Sequence, residues 1–293
     1  MNPTGTAAPV PGNKPSGRGF LRRFRRHRFA MAGLAIVLVL AFCCYFANIV
    51  APFAQNDQHL LLGATPPSWR HLLGTDQLGR DYLTEILYAG RLSLTIGLSV
   101  AVLSTVVGTV LGVIAGYAGR WIGEVVMRIT DLFLVVPPLA VLAVALQGLG
   151  RSYLIIVLVL AGIGWTVIAR VVRGEVLALR ERAYVDAALV LGASHLRIVL
   201  RHLLPNLAGV AAVSVSVNVA TSIILESTLS FLGFGVRPPQ SSWGNMLSQA
   251  SGYVGTPQGY LLYFPGLAIL ITVLAVSFVG DGLRDAFDPR RKQ

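Results

Sequence analysis

The sequence predicts an all-α polytopic membrane protein with six transmembrane helices and both termini in the cytoplasm. Hydrophobic residues make up 54% of its 293 positions and charged residues only 13%, whereas a soluble domain usually carries about 25% charged residues. Charge-free runs recur that approach the ~20 apolar residues a spanning helix needs. Most of the basic residues lie in the segments on one predicted side of the membrane, and this asymmetry predicts the orientation of the spans.

The predicted spans follow one another from the N-terminus to the C-terminus. They are expected at residues 29–54, 92–119, 132–150, 152–169, 203–225 (continuing toward 231) and 260–280. The remaining parts are a disordered basic tail at 1–28, an extracytoplasmic loop at 55–91, a cytoplasmic loop at 170–205 within the 92–281 core, and a cytoplasmic tail at 282–293. Pro137 and Pro138 interrupt the third span and predict a kink there.

The distribution of Lys and Arg selects one orientation of these spans. With both termini inside, nineteen of the 24 Lys and Arg residues lie on the cytoplasmic side and five lie outside, as the positive-inside rule requires. The net charge of +11 therefore reflects topology. It does not predict nucleic-acid binding, because the basic residues form no patch with interleaved aromatics.

The two outer loops carry turn signals and interfacial aromatics. Gly74 and Gly79 mark turns, and Thr75 or Asp76 is expected to cap a short helix that runs into residues 82–90. The second outer loop spans residues 233–259. Its aromatic residues of the type found at membrane interfaces are Trp243, Tyr253 and Tyr260.

Small residues within the first two spans indicate packing. Gly108, Gly112 and Gly116 recur every fourth residue, so they share one helix face and allow another backbone to approach closely. Cys43 and Cys44 are adjacent inside an apolar run, and adjacent cysteines rarely bridge. They are expected to be apolar fillers.

The cytoplasmic loop is the part of the chain that predicts a function. Its 36 residues carry nine charges, and two apolar stripes recur with helical spacing. The first stripe comprises Tyr184, Ala187, Ala188 and Leu191, and the second comprises Leu196, Val199, Leu200 and Leu203. Gly192 separates the two helices and Ser194 is expected to cap the second.

Two interpretations of this loop follow from the residues alone. An amphipathic segment can lie on the bilayer surface. Ala187, Ala188, Gly192 and Ala193 offer little area for membrane anchoring, and they allow another protein to approach closely. The small residues therefore favour a docking surface for a cytoplasmic partner.

The loop resembles the EAA motif of permease subunits in ATP-binding-cassette importers. That motif reads Glu-Ala-Ala, three residues, Gly, nine residues, Ile-x-Leu-Pro. The matching residues are Asp186, Ala187, Ala188, Gly192, Leu204 and Pro205. Asp186 stands in place of Glu, and His202 stands in place of Ile.

Other strings extend the resemblance along nearly the whole chain. They are GTDQLGRD at 74–81, RERAYVDAA at 180–188, LSFLGFGVRPP at 229–239 and SWGNML at 242–247. Together and in this order they resemble the dipeptide/oligopeptide permease family, its C subunit in particular. The resemblance implies the type I importer permease fold and a place in the bacterial cytoplasmic membrane.

The resemblance also implies the partners of such a chain. A homologous permease would complete the pathway, two ATPase subunits (separate or fused) would dock below, and an extracytoplasmic binding protein would deliver peptide. The helix near Tyr184 would sit in a cleft of one ATPase and act as a lever. ATP and Mg would bind to the ATPases. No cofactor or metal is expected on this chain, which has no G-x-x-x-x-G-K-[ST] phosphate loop.

Two acidic residues lie close to the spans. Asp131 is expected to pair with Arg128, three residues before it. Glu226 has no sequence-local partner, so it is a candidate for lining the pathway or contacting the partner permease, since charge at bilayer depth faces the interior or a cavity. A structural role for Glu226 stays open.

Other function classes remain as alternatives. The chain could import another small solute such as a metal chelate. A secondary transporter would show inverted repeats and several intramembrane acids, and neither is evident. The sequence contains no G-x-S-x-G or H-E-x-x-H motif of an intramembrane enzyme. A structural scaffold would leave the docking loop unexplained.

Overall fold

The computed structural model describes residues 17–287, and every regular element in this range is helical. The helices are α1 (Gly17–Arg26), α2 (Arg28–Tyr45), α3 (Ala47–Val50), α4 (Tyr82–Tyr117), α5 (Arg120–Val135), α6 (Pro138–Leu149), α7 (Tyr153–Arg180), α8 (Ala183–Val190), α9 (His195–Ile198), α10 (Leu204–Phe231), α11 (Trp243–Ala250) and α12 (Tyr260–Phe287). In the described range, five helices are long and apolar enough to cross a membrane, and the count is six if the bent pair α5–α6 is one broken span.

The two chain ends are more helical than the sequence predicts. Residues 17–26, expected to belong to a disordered tail, form α1 because Phe20 and Phe24 lie one turn apart and pack on the end of α12. At the other end, α12 continues past residue 280 to Phe287. The first sixteen residues of the predicted N-terminal tail and residues 288–293 of the C-terminal tail lie outside the described range.

The second span begins well before the predicted residue 92. Helix α4 starts at Tyr82, and the Asp81 carboxylate caps it by accepting a hydrogen bond from the Thr84 N–H at 2.9 Å. The prediction of a cap at Thr75 or Asp76 is therefore wrong. Asp76 instead accepts bonds from the N–H groups of Leu78 and Arg80, which close the turn that precedes the helix.

The third span is broken where a kink is predicted. Helices α5 and α6 meet at an angle of 89°. Val136 is extended, as the residue before a proline prefers to be. Pro138 then occupies the first turn of α6, where its missing N–H has no intrahelical partner to lose. Two consecutive prolines thus end one helix and begin the next.

Helix α4 packs along α7, and its glycines explain the close approach. A Cβ added at Gly108, Gly112 or Gly116 would lie 2.7 Å from atoms of α7. At Gly112 those atoms are the Ala169 carbonyl oxygen and the Val172 Cβ. The three glycines therefore form the surface on which α7 rests, as their spacing predicts.

The bundle has two distinct ends. The α11 end contains α11, the segment between α3 and α4, and the first turns of α4 and α12. The α8 end contains α8, α9, the α4–α5 turn and the start of α10. Phe287 packs against Gly209 near the start of α10, and α1 packs on Phe287. Both ends of the described chain therefore lie at the α8 end.

Candidate functional site

Helix α8 is a short, sharply bounded element. Arg182 precedes it in an extended conformation, and Gly192 ends it with a φ of +79°. The Gly192 N–H bonds to the Leu189 carbonyl at 2.9 Å, and the Ala193 N–H bonds to the Ala188 carbonyl at 3.0 Å. This is the Schellman arrangement, which favours glycine at the left-handed position. Gly192 and Ala193 therefore set where α8 stops.

One side chain anchors α8 to the rest of the protein. Val185 is fully buried, in a cluster that includes Val176 of α7, Ile198 of α9 and Leu203. It is the one buried residue of α8. The other side chains of α8 are half-buried or exposed. The helix is held at one point and presents the rest of its surface outward.

The two predicted apolar stripes differ in how much of each is buried. Tyr184, Ala187 and Leu191 of the first stripe are exposed, with 86% of Leu191 accessible. The residue packed inside is Val185, next to the stripe rather than on it. In the second stripe, Leu203 is buried and Leu200 is exposed. The outward apolar face is what a docking surface requires.

The predicted motif residues meet at the α8 end with distinct roles. Asp186 lies in the first turn of α8, where a negative charge stabilises a helix. Ala187 beside it is exposed, and Ala188 is half-buried. Leu204 is half-buried against the Val185 cluster. Pro205 is exposed in the first turn of α10.

The chain between α8 and α10 is continuous with the fifth span. Ser194 caps α9, as predicted, by accepting a bond from the Arg197 N–H. A π-helical turn at Val199–Leu203 then joins α9 to α10. Pro205 explains the wider turn, because its ring crowds the carbonyl four residues earlier. The segment from α9 therefore joins α10 without an intervening loop.

Contacts at two places connect the segment between α8 and α10 to neighbouring helices. The Tyr117 hydroxyl at the end of α4 lies 2.9 Å from Nδ1 of His195. The Tyr184 ring lies beside His202, with 6.0 Å between ring centroids, and its hydroxyl accepts a long bond from the Asn206 amide at 3.5 Å. His202, which replaces the motif's Ile, thus contacts the first turn of α8.

Asp131 has a second and closer partner than the sequence predicts. Its carboxylate lies 3.9 Å from Arg128, the expected partner, and 2.6 Å from an Arg170 guanidinium nitrogen. Arg170 belongs to α7, so this ion pair joins α5 to α7. Sequence spacing could indicate the first pair but not the second, which depends on how the two helices pack.

Glu226 is buried inside the protein rather than exposed on its surface. Only 1% of it is exposed. The Ser230 hydroxyl donates to its carboxyl group at 2.7 Å, and Ser227 contributes a longer bond at 3.5 Å. The Ser242 hydroxyl, which caps α11, donates to Ser230 at 3.3 Å. Glu226 therefore takes part in a polar cluster that joins α10 to α11.

Trp243, predicted to suit the membrane interface, is buried within the protein, and only 1% of it is exposed. Its indole N–H donates to the Ile86 carbonyl at 3.0 Å, and its backbone N–H donates to Ser93 at 3.1 Å. The buried donors are thus satisfied by α4, and Trp243 fixes α11 to that helix.

The α11 end holds a cavity, lined by both charged and apolar side chains, that the sequence did not predict. It has a volume of about 620 Å³ and lies between the turn at Asp76–Arg80 and the Pro238–Ser241 segment. The Arg80 guanidinium contacts Asp76 at 2.5 Å and Glu85 at 3.3 Å. Glu85 also accepts a bond from the Asn56 N–H. The i, i+4 spacing of Asp76 and Arg80 is the one local signal of this network.

Two family models match the chain. The first is described as "Binding-protein-dependent transport system inner membrane component" and matches residues 108–293. The second, "N-terminal TM domain of oligopeptide transport permease C", matches residues 17–67. The first match covers more than half of the chain and includes α8 and the whole segment from α5 to α12.

Relatives and one solved structure agree with these matches. A Brucella suis protein named as a peptide permease is 40% identical over 92% of this chain and 89% of its own length. The oligopeptide transport system permease protein OppC of Mycobacterium bovis is 37% identical over 92% and 93%.

The solved structure supports the fold. The MetNI methionine ABC transporter, in inward-facing conformations, aligns with a TM-score of 0.57 at 20% identity, over 69% of this chain and 96% of that one. With the two family matches and the relatives above, the chain belongs to the binding-protein-dependent transport system inner membrane components, as a permease subunit of an ABC transporter.

Proposed function

We propose that this chain imports peptides, as one half of a translocation pathway that a homologous permease completes. The support for peptide as cargo is that relatives aligned over nearly their full length are named for peptide or oligopeptide transport. No observation favours the alternatives of a metal chelate or an ion-coupled mechanism. An extracytoplasmic binding protein would deliver the peptide to the α11 end, where the cavity beside Arg80 lies.

The α8 end is proposed to face the cytoplasm. The basic residues support this orientation, because α1, the α4–α5 turn and the segment from Arg170 to Arg201 all carry arginines at this end. The positive-inside rule places such an end on the cytoplasmic side. ATPase subunits, which would bind ATP and Mg, can then reach α8.

Helix α8 is proposed to be the coupling element that docks in a cleft of the ATPase. The observation that carries this proposal is its geometry: eight residues, one buried anchor and an outward face of small and apolar side chains. Arg182 and its neighbour link α8 to α7, and the π-helical turn links it to α10. Closure of the ATPases would move α8 as a lever and rotate both spans.

An Ala187→Arg substitution tests this coupling role. Ala187 is exposed in α8, so the new side chain should leave the fold and membrane insertion intact while blocking close approach of the ATPase. We expect the ATPase to co-purify poorly with the variant and substrate-stimulated ATP hydrolysis to fall about tenfold or more, which corresponds to a loss of at least ~1.4 kcal/mol of coupling.

The matched control is Ala118→Arg, at an exposed position in the α4–α5 turn outside the coupling segment. It should retain ATPase binding and hydrolysis near wild-type levels. Normal hydrolysis and uptake in Ala187→Arg would show that α8 is not the docking element. Cargo is tested separately, by uptake of labelled peptides and of a metal chelate through the wild-type complex with its binding protein.

A further inference from the structure

Helix α1 concentrates positive charge immediately before the first span. Arg22, Arg25 and Arg26 are exposed, and Arg28, the first residue of α2, is exposed as well. Arg23, Arg25 and Arg26 occupy the last turn of α1, where basic side chains favour the helix C-terminus. These four exposed arginines, 22, 25, 26 and 28, are called the α1 basic face below.

The opposite face of α1 is fixed to the protein. The Phe20 ring packs on Phe287 with 4.5 Å between centroids. Phe24 is buried against Ala30 and Ala286, and it also touches the surface of Gly282. The helix therefore has a defined position, and packing on α12 turns the α1 basic face outward.

The acidic side chain of Asp285, near α1, already has partners. The His27 ring lies 3.7 Å from the Asp285 carboxylate, and both Arg23 and Asp285 take part in further interactions. Within residues 17–287, no ion pair involves Arg22, Arg25, Arg26 or Arg28. The described part of the chain thus supplies no counter-charge to the α1 basic face.

The position of α1 relative to the bilayer indicates what supplies the counter-charge. Only His27 separates α1 from the candidate span α2, so a bilayer that α2 crosses would bring its headgroups to the basic face. Leu21 and Phe29, which are 55% and 66% exposed, flank it with apolar surface suited to the acyl boundary. Guanidinium forks match phosphate oxygens in a bidentate manner.

We propose that the α1 basic face binds the phosphate groups of anionic phospholipids and so holds α1, packed on the end of α12, against the membrane surface. Two or more headgroups would share the four guanidiniums. The apolar flank provides the area that an anchoring helix needs, and the charges provide selectivity for anionic over zwitterionic lipid. The binding depends on ionic strength because exposed charges are screened.

The test measures binding of fluorescent phosphatidylglycerol to the assembled transporter in a neutral detergent, with phosphatidylcholine as the zwitterionic comparison. We expect the wild type to prefer phosphatidylglycerol. The triple variant R22Q/R25Q/R26Q should bind it roughly tenfold to a hundredfold more weakly at low salt, since each basic residue near a membrane surface contributes about 1 kcal/mol. High salt should abolish the difference.

A second triple variant, R120Q/R197Q/R201Q, changes the same charge at exposed positions of the same end and should bind lipid as the wild type does. The proposal would be overturned if the two triple variants bound phosphatidylglycerol with equal affinity, whether both kept the wild-type affinity or both lost it. So would displacement by millimolar inorganic phosphate, which would indicate a site for free phosphate. If R22Q/R25Q/R26Q instead loses its ATPase while lipid binding is unchanged, the basic face contacts protein and the proposal is wrong.

Discussion

At the scale of single residues, Glu226 shows how an intramembrane acid can be accommodated without an ionic partner. Its carboxyl group receives serine hydroxyls from its own helix, and the chain of bonds continues through Ser230 to the cap of α11. Buried polar groups are stable where such partners satisfy them. The geometry favours the structural role that the sequence left open, since only 1% of Glu226 is exposed and its carboxyl group bonds to serines of its own helix.

Replacing Glu226 tests that role. Glu226→Ala removes the acceptor and leaves two serine hydroxyls unsatisfied, so we expect the free energy of unfolding to fall by about 1–3 kcal/mol. Glu226→Gln keeps one acceptor oxygen and should lose less. Thermal unfolding of the purified protein in detergent measures both changes, and uptake should fall in proportion to the loss of folded protein.

The comparison for this experiment is Glu124→Ala. Glu124 is largely exposed and pairs with Arg120 across one helical turn, so its removal should change stability by less than ~0.5 kcal/mol. If Glu226→Ala lowered uptake while unfolding and abundance stayed at wild-type values, Glu226 would act in the pathway and the structural interpretation would be wrong.

At the scale of elements, α8 is distinguished by how little holds it. Its backbone ends are defined by Gly192 and by the turn at Arg182, and its packing rests on Val185. The proposed coupling role would use this combination, because a helix with defined ends can transmit force and a small anchor lets it respond to a partner. The long helices α7 and α10 lie on either side of it in the chain.

Shortening the anchor should loosen α8 selectively. We expect Val185→Ala to weaken the packing of α8 on the rest of the protein by about 1–3 kcal/mol, the range for removing buried methyl groups. Trypsin should then cut faster at Arg182 and Arg197, which flank α8, while the rest of the chain is digested as before. Val190→Ala is the control, because Val190 is 87% exposed. Equal digestion of the two variants would contradict the single-anchor description.

The elements also show which parts of the fold the sequence can predict. Ser194 and Gly192 were placed correctly because a cap and a left-handed turn depend on local backbone chemistry. The start of α4 was missed because Glu85 and Arg91 interrupt the apolar run, and a search for charge-free segments excludes them. In the structure, Glu85 is satisfied by Arg80 and the Asn56 N–H, which are contacts from a separate loop.

The side of α8 that faces outward could be predicted only in part for a related reason. Nearly every face of α8 carries an apolar or small residue, so spacing alone does not tell which residue packs inward. The choice of Val185 depends on the shape of the pocket between α7, α9 and α10. The 89° break between α5 and α6 is a similar case, because prolines locate a break and tertiary packing sets its angle.

At the scale of the whole molecule, the two ends of the bundle are held by different forces. At the α11 end, buried hydrogen bonds cross between elements: the Tyr260 hydroxyl donates to the Thr75 carbonyl at 2.6 Å, and Trp243 donates to Ile86. At the α8 end, the corresponding contacts are chiefly apolar. Under the proposed orientation, the end that would receive a binding protein can be rigid, whereas the end that would respond to ATPase closure has to move.

Hydrogen exchange can measure this asymmetry, because α8 and α11 are both eight-residue helices. Helix α11 buries four of its residues, including Trp243 and Met246, whereas α8 buries only Val185. Local opening is easier where few contacts are lost.

After correction for intrinsic rates, we expect amides of α8 to exchange at least about tenfold faster than those of α11 in the isolated permease. Addition of the ATPase should slow exchange in α8 and leave α11 unchanged. Equal protection of the two helices would contradict the expected difference in mobility between the two ends. Slowing confined to α11 would contradict docking of the ATPase at α8.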